Sequence, residues 1–528
     1  MVSRTSDSRR WVGLGVLAAG LSMIILDSTI VGVSLPRVIE ALSMRLADAQ
    51  WVTSLYSVVF AALLLVFGRL GDRWGRRLMF VAGVVVFVGA SLLAAVANSA
   101  GVLILARAIQ GFGGAMVLPS TLSTVNATFR GKDRAVAFGI WGAVMAGMAA
   151  VGPLLGGWLT TSFSWRWIFL VNLPIGLAIV VMTWFFVDES KGRTPERGAD
   201  VDGFLTSAIG LGFVIFGLIE GTTLGWYRPK APFTVGSWAW GLDKPVSLAF
   251  VALVGGGVFL VLFLLWELHR QHNGRSALLH LSLFRIPTFS WGNLTATMVA
   301  CGEFALLFVM PLYLVNVHGL DIMQAGFVLA AMAIGAFISG ASARHLAARM
   351  GAAWAVVLGV ALEVVGAGVT CVLVATQAST WFVALTMVVY GVGLGIASAQ
   401  LTSLVLADVP TGQSGSGSAT QSTVRQLGSA LGSALAGTTL AARLGATLPA
   451  ALTDAGLPAE KASALADAVT SSAGGVIAGM AAKGPSPVVD AMSEQFAHAA
   501  GWSIGVAVAF LVLGLLGATQ VRRTRVEA

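Results

Sequence analysis

Residues 68–77, GRLGDRWGRR, place four arginines and one aspartate between two stretches without a single charge, Trp51 to Phe67 and Leu78 to Ala97. Each stretch approaches the ~20 residues that a helix needs to cross a bilayer. A connection this short and this basic belongs on the cytoplasmic side. One feature therefore sets both the class, a polytopic membrane protein, and the orientation, with the N-terminus inside.

Composition agrees. Of the 528 residues 57% are hydrophobic and 11% charged, where a soluble domain has about 25% charged. The net charge of +8 does not imply nucleic acid, because the basic residues are spread over many short turns and fall mostly on the loops expected inside. Arg9 and Arg10 precede an apolar run that is too long for a signal peptide, contains Asp27 and lacks a small-residue cleavage site, so it reads as an uncleaved first span. The two cysteines, Cys301 and Cys371, lie in apolar stretches and read as free thiols. Arginine outnumbers lysine, and Ala, Gly and Val abound, which suggests a GC-rich bacterial genome and hence a bacterial cytoplasmic membrane.

The pattern predicts an all-α integral membrane protein with fourteen transmembrane helices. They fall near 11–35, 51–68, 78–97, 102–125, 135–160, 167–187, 203–222, 248–267, 288–312, 323–345, 353–374, 381–404, 421–441 and 499–520. The seventh and thirteenth are rich in Gly, Ser and Thr. Both termini are then cytoplasmic. Two external segments are long. Residues 223–247 carry Trp226, Trp238 and Trp240 and suit an interfacial loop, while 442–498 read as a mobile external loop with a surface helix at Pro458–Val469.

The chain repeats itself. LAARMG (346–351) follows the tenth helix as LGDRWG (70–75) follows the second, with Ala348 in place of Asp72. QGFGGAM (110–116) in the fourth helix is matched by YGVGLGI (390–396) in the twelfth. A six-helix repeat with two inserted helices gives this separation, and transporters are often built so, with the substrate site between the halves. The expected units are an N-terminal six-helix bundle (1–187), a linker with two inserted helices (188–287) and a C-terminal six-helix bundle (288–528).

Five motifs in order resemble a known family. GRLGDRWGRR looks like the signature loop of the major facilitator superfamily. LDSTIVGVSLP (26–36), LARAIQGFGGAMVLP (105–119), GMAAVGPLLGGWL (147–159) and WRWIFLVNLPIG (165–176) resemble the first, fourth, fifth and sixth helices of its fourteen-helix drug:proton antiporters. Gly32 departs from the asparagine usual there. The resemblance implies a cytoplasmic gate at Gly68, Arg69, Asp72, Arg73, Gly75, Arg76 and Arg77, and an antiporter motif at Gly147, Gly152, Pro153, Gly156 and Gly157. The glycines of that motif include a Gly-x-x-x-Gly spacing, which favours close helix contact.

Acids inside spans are the other candidates, since a carboxylate in lipid is costly and normally faces a cavity or a partner. Asp27 and Arg107 reach similar depth in the outer half at 1.5 Å per residue. They read either as a proton-binding carboxylate coupled to an arginine or as a permanent ion pair. Glu303, in the ninth helix, reads as a second proton or cation-recognition site, or as a structural acid. Glu363 is a further candidate for binding substrate or proton. Glu220 and Glu267 lie at helix ends, where interfacial solvation is expected.

No catalytic constellation, no Gly-Lys-Ser/Thr phosphate loop and no metal spacing among the six histidines occur. The expected energy source is the proton gradient, with no cofactor and no metal. Expected partners are small-molecule substrates, protons and membrane lipids, without an obligate protein partner. The implied activity is efflux of hydrophobic or amphipathic, often cationic, drugs by alternating access. A dedicated exporter of an antibiotic, lipid or siderophore, a proton-coupled importer, and a channel or sensor are the alternatives.

Overall fold

The computed structural model describes all residues except 1, 130–132, 134–136, 138–147, 149–150, 192–199, 236–237, 276, 411–413 and 527–528; the side chains at 2–7, 65, 69, 72, 126, 414–415 and 524–526 are likewise outside the description. The chain is almost entirely helical. In order come α1 (Val2–Leu42), α2 (Leu46–Trp74), α3 (Arg76–Ala95), α4 (Ala100–Thr128), α5 (151–162), α6 (Trp167–Phe186), α7 (Val201–Leu224) and α8 (Leu248–His272). After these come α9 (Pro287–Asn316), α10 (Ile322–Met350), α11 (Ala352–Ala375), α12 (Thr380–Val405), α13 (Ser414–Asp454), α14 (Ala459–Ser471), α15 (Gly475–Ala481) and α16 (Pro487–Val526). A two-stranded hairpin, Phe233–Val235 with Trp238–Trp240, sits in the tryptophan-rich segment between α7 and α8.

Among the described residues, twelve helices are long and apolar enough to cross a membrane, so the expected count of fourteen is not reached on that criterion. The two outside the twelve have separate reasons. Much of the fifth lies outside the described residues. The thirteenth is present as the 41-residue α13, but its Gly, Ser and Thr content keeps its hydropathy low. It nonetheless packs along α2, α7, α9 and α16. Small residues there trade hydrophobicity for backbone approach: a Cβ on Gly432 would lie 2.2 Å from the Cys301 carbonyl oxygen.

Helices α1–α4 and α6 pack on one another, and so do α9–α13 and α16. The two groups meet along α2–α13 and α1–α9. Across the first seam Gln50 Nε2 donates to the Ala434 carbonyl at 2.7 Å, and the Ser54 and Ser433 hydroxyls lie 2.9 Å apart. The inserted α7 lies against both α2 and α13, whereas α8 packs mainly on α7. Only 17% of the apolar window of α8 is buried, against 78% for α9, so α8 is a lipid-facing helix and α9 a central one.

The inserted pair corrects one expectation. Glu220 and Glu267 are buried rather than solvated. Trp51 of α2 covers the end of α7 and donates from Nε1 to Glu220 at 3.0 Å, while the backbone N–H of Leu279 donates to Glu267 at 3.0 Å. Nearby, Asp200 accepts from Gly203 N, Trp266 Nε1 and Leu278 N and pairs with Arg270. The linker after α8 is thereby stitched to both inserted helices.

Residues 442–498 are not a mobile loop. α13 runs on through Pro449 to Asp454, and α14 and α15 meet at 114° around Gly474, whose φ is +91°. Leu444, Leu448, Leu452, Ala462, Ala466, Val469, Ile477 and Phe496 are buried in the main core. Their helical spacing is hidden in the sequence behind the high Ala, Ser and Gly content. This cap touches α1 and α2 as well as α9 and α16, and Asn316 Nδ2 donates to the Ala473 carbonyl at 2.9 Å.

The repeat appears in the backbone. The basic signature is not a loop: residues 68–74 are the last turns of α2, and the chain breaks only at Gly75. Gly75 and its counterpart Gly351 both have positive φ, +128° and +86°. In each case the N–H caps the helix by donating four residues back, to Gly71 and Ala347. A side chain would be strained at either position.

Candidate functional site

A fully enclosed polar cluster is built on Asp27. Its carboxylate takes the Nη1 of Arg107 on Oδ2, and on Oδ1 the side-chain amides of Gln110 at 3.1 Å and Asn172 at 3.0 Å. Arg107 Nη1 also donates to Gln110 Oε1 at 2.8 Å, and its Nε donates to the Val52 carbonyl at 3.3 Å. The guanidinium carbon lies 4.2 Å from the centre of the Tyr56 ring. Ser91 Oγ receives both amides, from Gln110 at 2.8 Å and Asn172 at 3.2 Å. Helices α1, α2, α3, α4 and α6 thus converge on one acid. Asp27 and Arg107 are each 1% exposed, and Gln110, Asn172 and Ser91 are fully buried.

Glycines make this convergence possible. A Cβ on Gly111 would lie 2.5 Å from the Tyr56 carbonyl oxygen, and one on Gly113 would lie 2.8 Å from that of Gly83. α4 therefore sits backbone-to-backbone against α2 and α3, close enough for Arg107 to reach α1. An ion pair buried this deeply survives only because its remaining hydrogen-bonding valences are met. Asn172 Oδ1 and Tyr56 Oη are exceptions, with no hydrogen-bond partner among the described residues.

α5 lies between α1 and α10. A Cβ on Gly152 would fall 1.8 Å from Thr29 Oγ1, only two residues from Asp27, and one on Gly157 would fall 3.0 Å from the Met323 Cα. Gly326 of α10 in turn approaches the Pro153 carbonyl, which would lie 2.7 Å from an added Cβ. Gly156 packs on Ile30 in the same way. Gly147 lies outside the described residues. Gly152→Ala is expected to force α5 off α1, at a cost of about 1–3 kcal/mol by overpacking. Thermal unfolding of the purified variant reads that cost, and proton leak into vesicles reads whether the α1–α5 contact also seals the Asp27 cluster. A variant unchanged in both would show that the contact relaxes freely.

The other candidate acids gather in the second group of helices. Glu363 on α11 is fully buried, and neither carboxylate oxygen has a hydrogen-bond partner among the described residues. Glu303 on α9 is half-buried. Arg425 of α13 stands within electrostatic range of both acids, and the acids stand within range of each other. Glu303 and Glu363 thus lie within range of each other without a direct contact, and apart from Asp27, whose hydrogen-bonding partners lie on α4 and α6.

Comparison with known proteins settles what this arrangement belongs to. The family model described as Major Facilitator Superfamily matches residues 17–433. This chain belongs to the major facilitator superfamily. It is 33% identical over 443 residues to a probable actinorhodin transporter of Streptomyces coelicolor, covering 82% of this chain and 72% of that protein. It is 29% identical to the tetracenomycin C resistance and export protein of Streptomyces glaucescens, over 87% of this chain and 82% of that one. It is 31% identical to the multidrug efflux pump LfrA of Mycolicibacterium smegmatis, over 82% and 81%. In fold it resembles a bacterial homolog of the human lysosomal transporter Spinster, crystallised inward-facing and occupied, with a TM-score of 0.63, 17% identity, and 98% and 97% of the two chains covered. The chain is accordingly a multi-pass membrane transporter.

At the basic end of this facilitator the signature residues are tied to α4, to α6 and to the segment just after α6. Glu189 caps α3, accepting from the backbone N–H of Arg77 at 3.0 Å and Leu78 at 3.2 Å, where a carboxylate meets the positive end of the helix. Arg76 donates from Nη1 to the Ser123 carbonyl at 3.0 Å, and Arg77 from Nη1 to the Val187 carbonyl at 3.3 Å, with its guanidinium over Trp184. Arg73 is exposed, and Gly68 faces Pro119 of α4. The side chains of Arg69 and Asp72 lie outside the description. Among the described side chains, the acid that meets a helix N-terminus here is Glu189, which sequence reasoning passes over.

Gln110, Asn172, Ser91 and Tyr56 are also missing from the sequence-derived candidates. Two of them leave a signal. Gln110 lies three residues after Arg107, hence on the same helix face, and Asn172 is the one polar side chain in the apolar run Ile168–Pro174.

Proposed function

We propose that this transporter exports hydrophobic or amphipathic compounds, often cationic, across the bacterial cytoplasmic membrane by alternating access, driven by inward proton flow. The basic face of the bundle is cytoplasmic in this reading, and both termini lie there. The two helix groups rock about the α2–α13 and α1–α9 seams, and the signature residues at the basic face act as the gate between them. The observation that carries the proposal is the Asp27–Arg107 pair. A carboxylate held by one arginine and two amides binds a proton when the arginine withdraws and releases it when the arginine returns, since an adjacent cation favours the ionised form. The pair joins five helices, so its state is felt by how they pack.

The named relatives support a drug or antibiotic cargo. Two are named for a single compound, one as a probable actinorhodin transporter and one as a tetracenomycin C resistance and export protein, and one is named as a multidrug efflux pump. A dedicated metabolite exporter is therefore the second reading, and a panel of chemically unrelated drugs in a host lacking its own exporters separates the two. The direct test of proton drive uses inside-out membrane vesicles with an acidic interior. An amphipathic cation such as ethidium should accumulate, and a protonophore should abolish the accumulation. Uptake indifferent to the pH gradient in vesicles that transport the compound would sink proton coupling.

A further inference from the structure

The internal repeat relates the two acidic clusters. The shift in numbering that carries Gly75 onto Gly351 also carries the start of α2, Leu46, onto the start of α10, Ile322, and Gly83 onto Gly359. The contacts repeat with it. Gly113 would place a Cβ 2.8 Å from the Gly83 carbonyl oxygen and 2.8 Å from the Phe87 nitrogen; Gly393 would place one 2.4 Å from the Gly359 carbonyl oxygen and 2.7 Å from the Glu363 nitrogen. Gly111 presses on the α2 backbone at Tyr56 as Gly391 presses on the α10 backbone at Met332. The same shift carries Asp27 onto Glu303. The QGFGGAM to YGVGLGI match carries Gln110 onto Tyr390.

The second cluster is therefore a diverged copy of the first, and its charges do not balance in the same way. The first holds one acid and one arginine. The second holds two acids, Glu303 and Glu363, and one arginine, Arg425, which comes from α13 because the residue matching Arg107 is Met387. One cation cannot neutralise a buried and a half-buried carboxylate at once, and a buried ionised carboxylate without donors forfeits its solvation for nothing. Glu363 is the fully buried one of the two, and neither of its oxygens has a donor among the described residues. It is pinned at the α11–α12 contact, where the Gly393 Cβ would lie 3.0 Å from its Cγ. The Tyr390 hydroxyl is likewise buried without a partner among the described residues, and it lies within electrostatic range of Glu363, Glu303 and Cys301. α10 and α16, which also pack in this region, carry their described titratable groups toward their ends, at Arg344, His345 and Arg349 and at Asp490, Glu494, His498, Arg522 and Arg523.

We infer that Glu363 is a second proton-binding site, loaded while Arg425 is paired with Glu303 and emptied when a cationic substrate takes Glu303. The cation displaces Arg425, Arg425 turns to Glu363, and the Glu363 O–H bond breaks, giving its proton to water and leaving a carboxylate paired with the arginine. When the substrate leaves, Arg425 returns to Glu303 and Glu363 takes a proton from water again. Each cation bound thus releases one proton here, in addition to any from Asp27. The inference rests on the proton-coupled reading above and names a second site for it.

The test measures protons released when tetraphenylphosphonium binds to the purified, detergent-solubilised full chain in weakly buffered solution with a pH dye. Binding itself is followed by calorimetry in strong buffer. The wild type should release protons, and Glu363→Gln should bind the cation and release one fewer per cation bound. Glu363→Met should behave the same way, and it keeps the test valid where the amide disturbs folding, because an apolar side chain suits a dry site. Asp27→Asn should retain the proton assigned to Glu363. Equal release by wild type and both Glu363 variants overturns the inference while leaving proton coupling through Asp27 intact. A wild type that binds the cation without releasing any proton overturns it as well. Absence of pH-driven transport in the vesicle assay overturns the broader reading separately.

Discussion

Asp27→Asn is expected to reduce proton-driven efflux to background while the protein still inserts and still exchanges substrate for substrate. The amide is nearly isosteric, so contacts with Gln110 and Asn172 can be re-formed with one amide turned. Arg107 keeps the Val52 carbonyl, Gln110 Oε1 and the Tyr56 ring. What disappears is the group that changes charge. Downhill exchange of labelled for unlabelled substrate needs no proton and should persist. Net efflux against a gradient does need one. Resistance in a pump-deficient host, together with counterflow in vesicles, separates the two. Near-normal active efflux would remove Asp27 from coupling. Loss of membrane insertion, with loss of both activities, would mark the pair as a structural bond only.

How much of this is legible in the sequence depends on what kind of signal each feature leaves. Asp27 and Arg107 stand out because a charge in an apolar span has few explanations, and helix rise alone places them at one depth. The glycines of QGFGGAM and GPLLGG stand out as a pattern, but the backbones and side chains they touch, at Tyr56, Gly83, Thr29 and Met323, belong to helices far away in the chain. Gln110, Ser91 and Asn172 escape notice because a single polar residue in a span is common and carries no cost when it finds a partner. The first helix of the cap is expected at Pro458–Val469 and runs from Ala459 to Ser471, but its burial is illegible for the opposite reason. Alanine and serine occupy many of its positions, so its buried stripe of Ala462, Ala466 and Val469 has little hydrophobic contrast with its exposed side. The basic signature reads as a loop because its charges mark a boundary. Its residues are helical up to Trp74, and one glycine makes the turn. Periodicity reports which residues are apolar; it does not report where a helix ends among polar ones.

Arg107→Met tests the same pair from the other side. The substitution leaves Asp27 buried against two neutral amides, with no cation in reach of its carboxylate among its observed partners. Removing one member of a buried pair costs about 3–5 kcal/mol when the other stays charged. The variant should therefore unfold at a clearly lower temperature than the parent in detergent, and it should not export. The informative comparison is the double variant Asp27→Asn with Arg107→Met. Both charges are then gone, the methionine fills the space beside Tyr56, and the new amide at position 27 still meets Gln110 and Asn172. Thermal stability should return to near that of the parent, because replacing a whole buried pair by neutral groups is often neutral or stabilising. Active efflux should stay absent, because no group in the cluster can exchange a proton. Stability and transport thus part company only if the pair is kept for its chemistry. A double variant that recovers both would place the coupling proton elsewhere, with the Glu303, Glu363 and Arg425 cluster as the remaining site. A double variant that recovers neither would show that the five helices depend on the charges themselves to hold their packing.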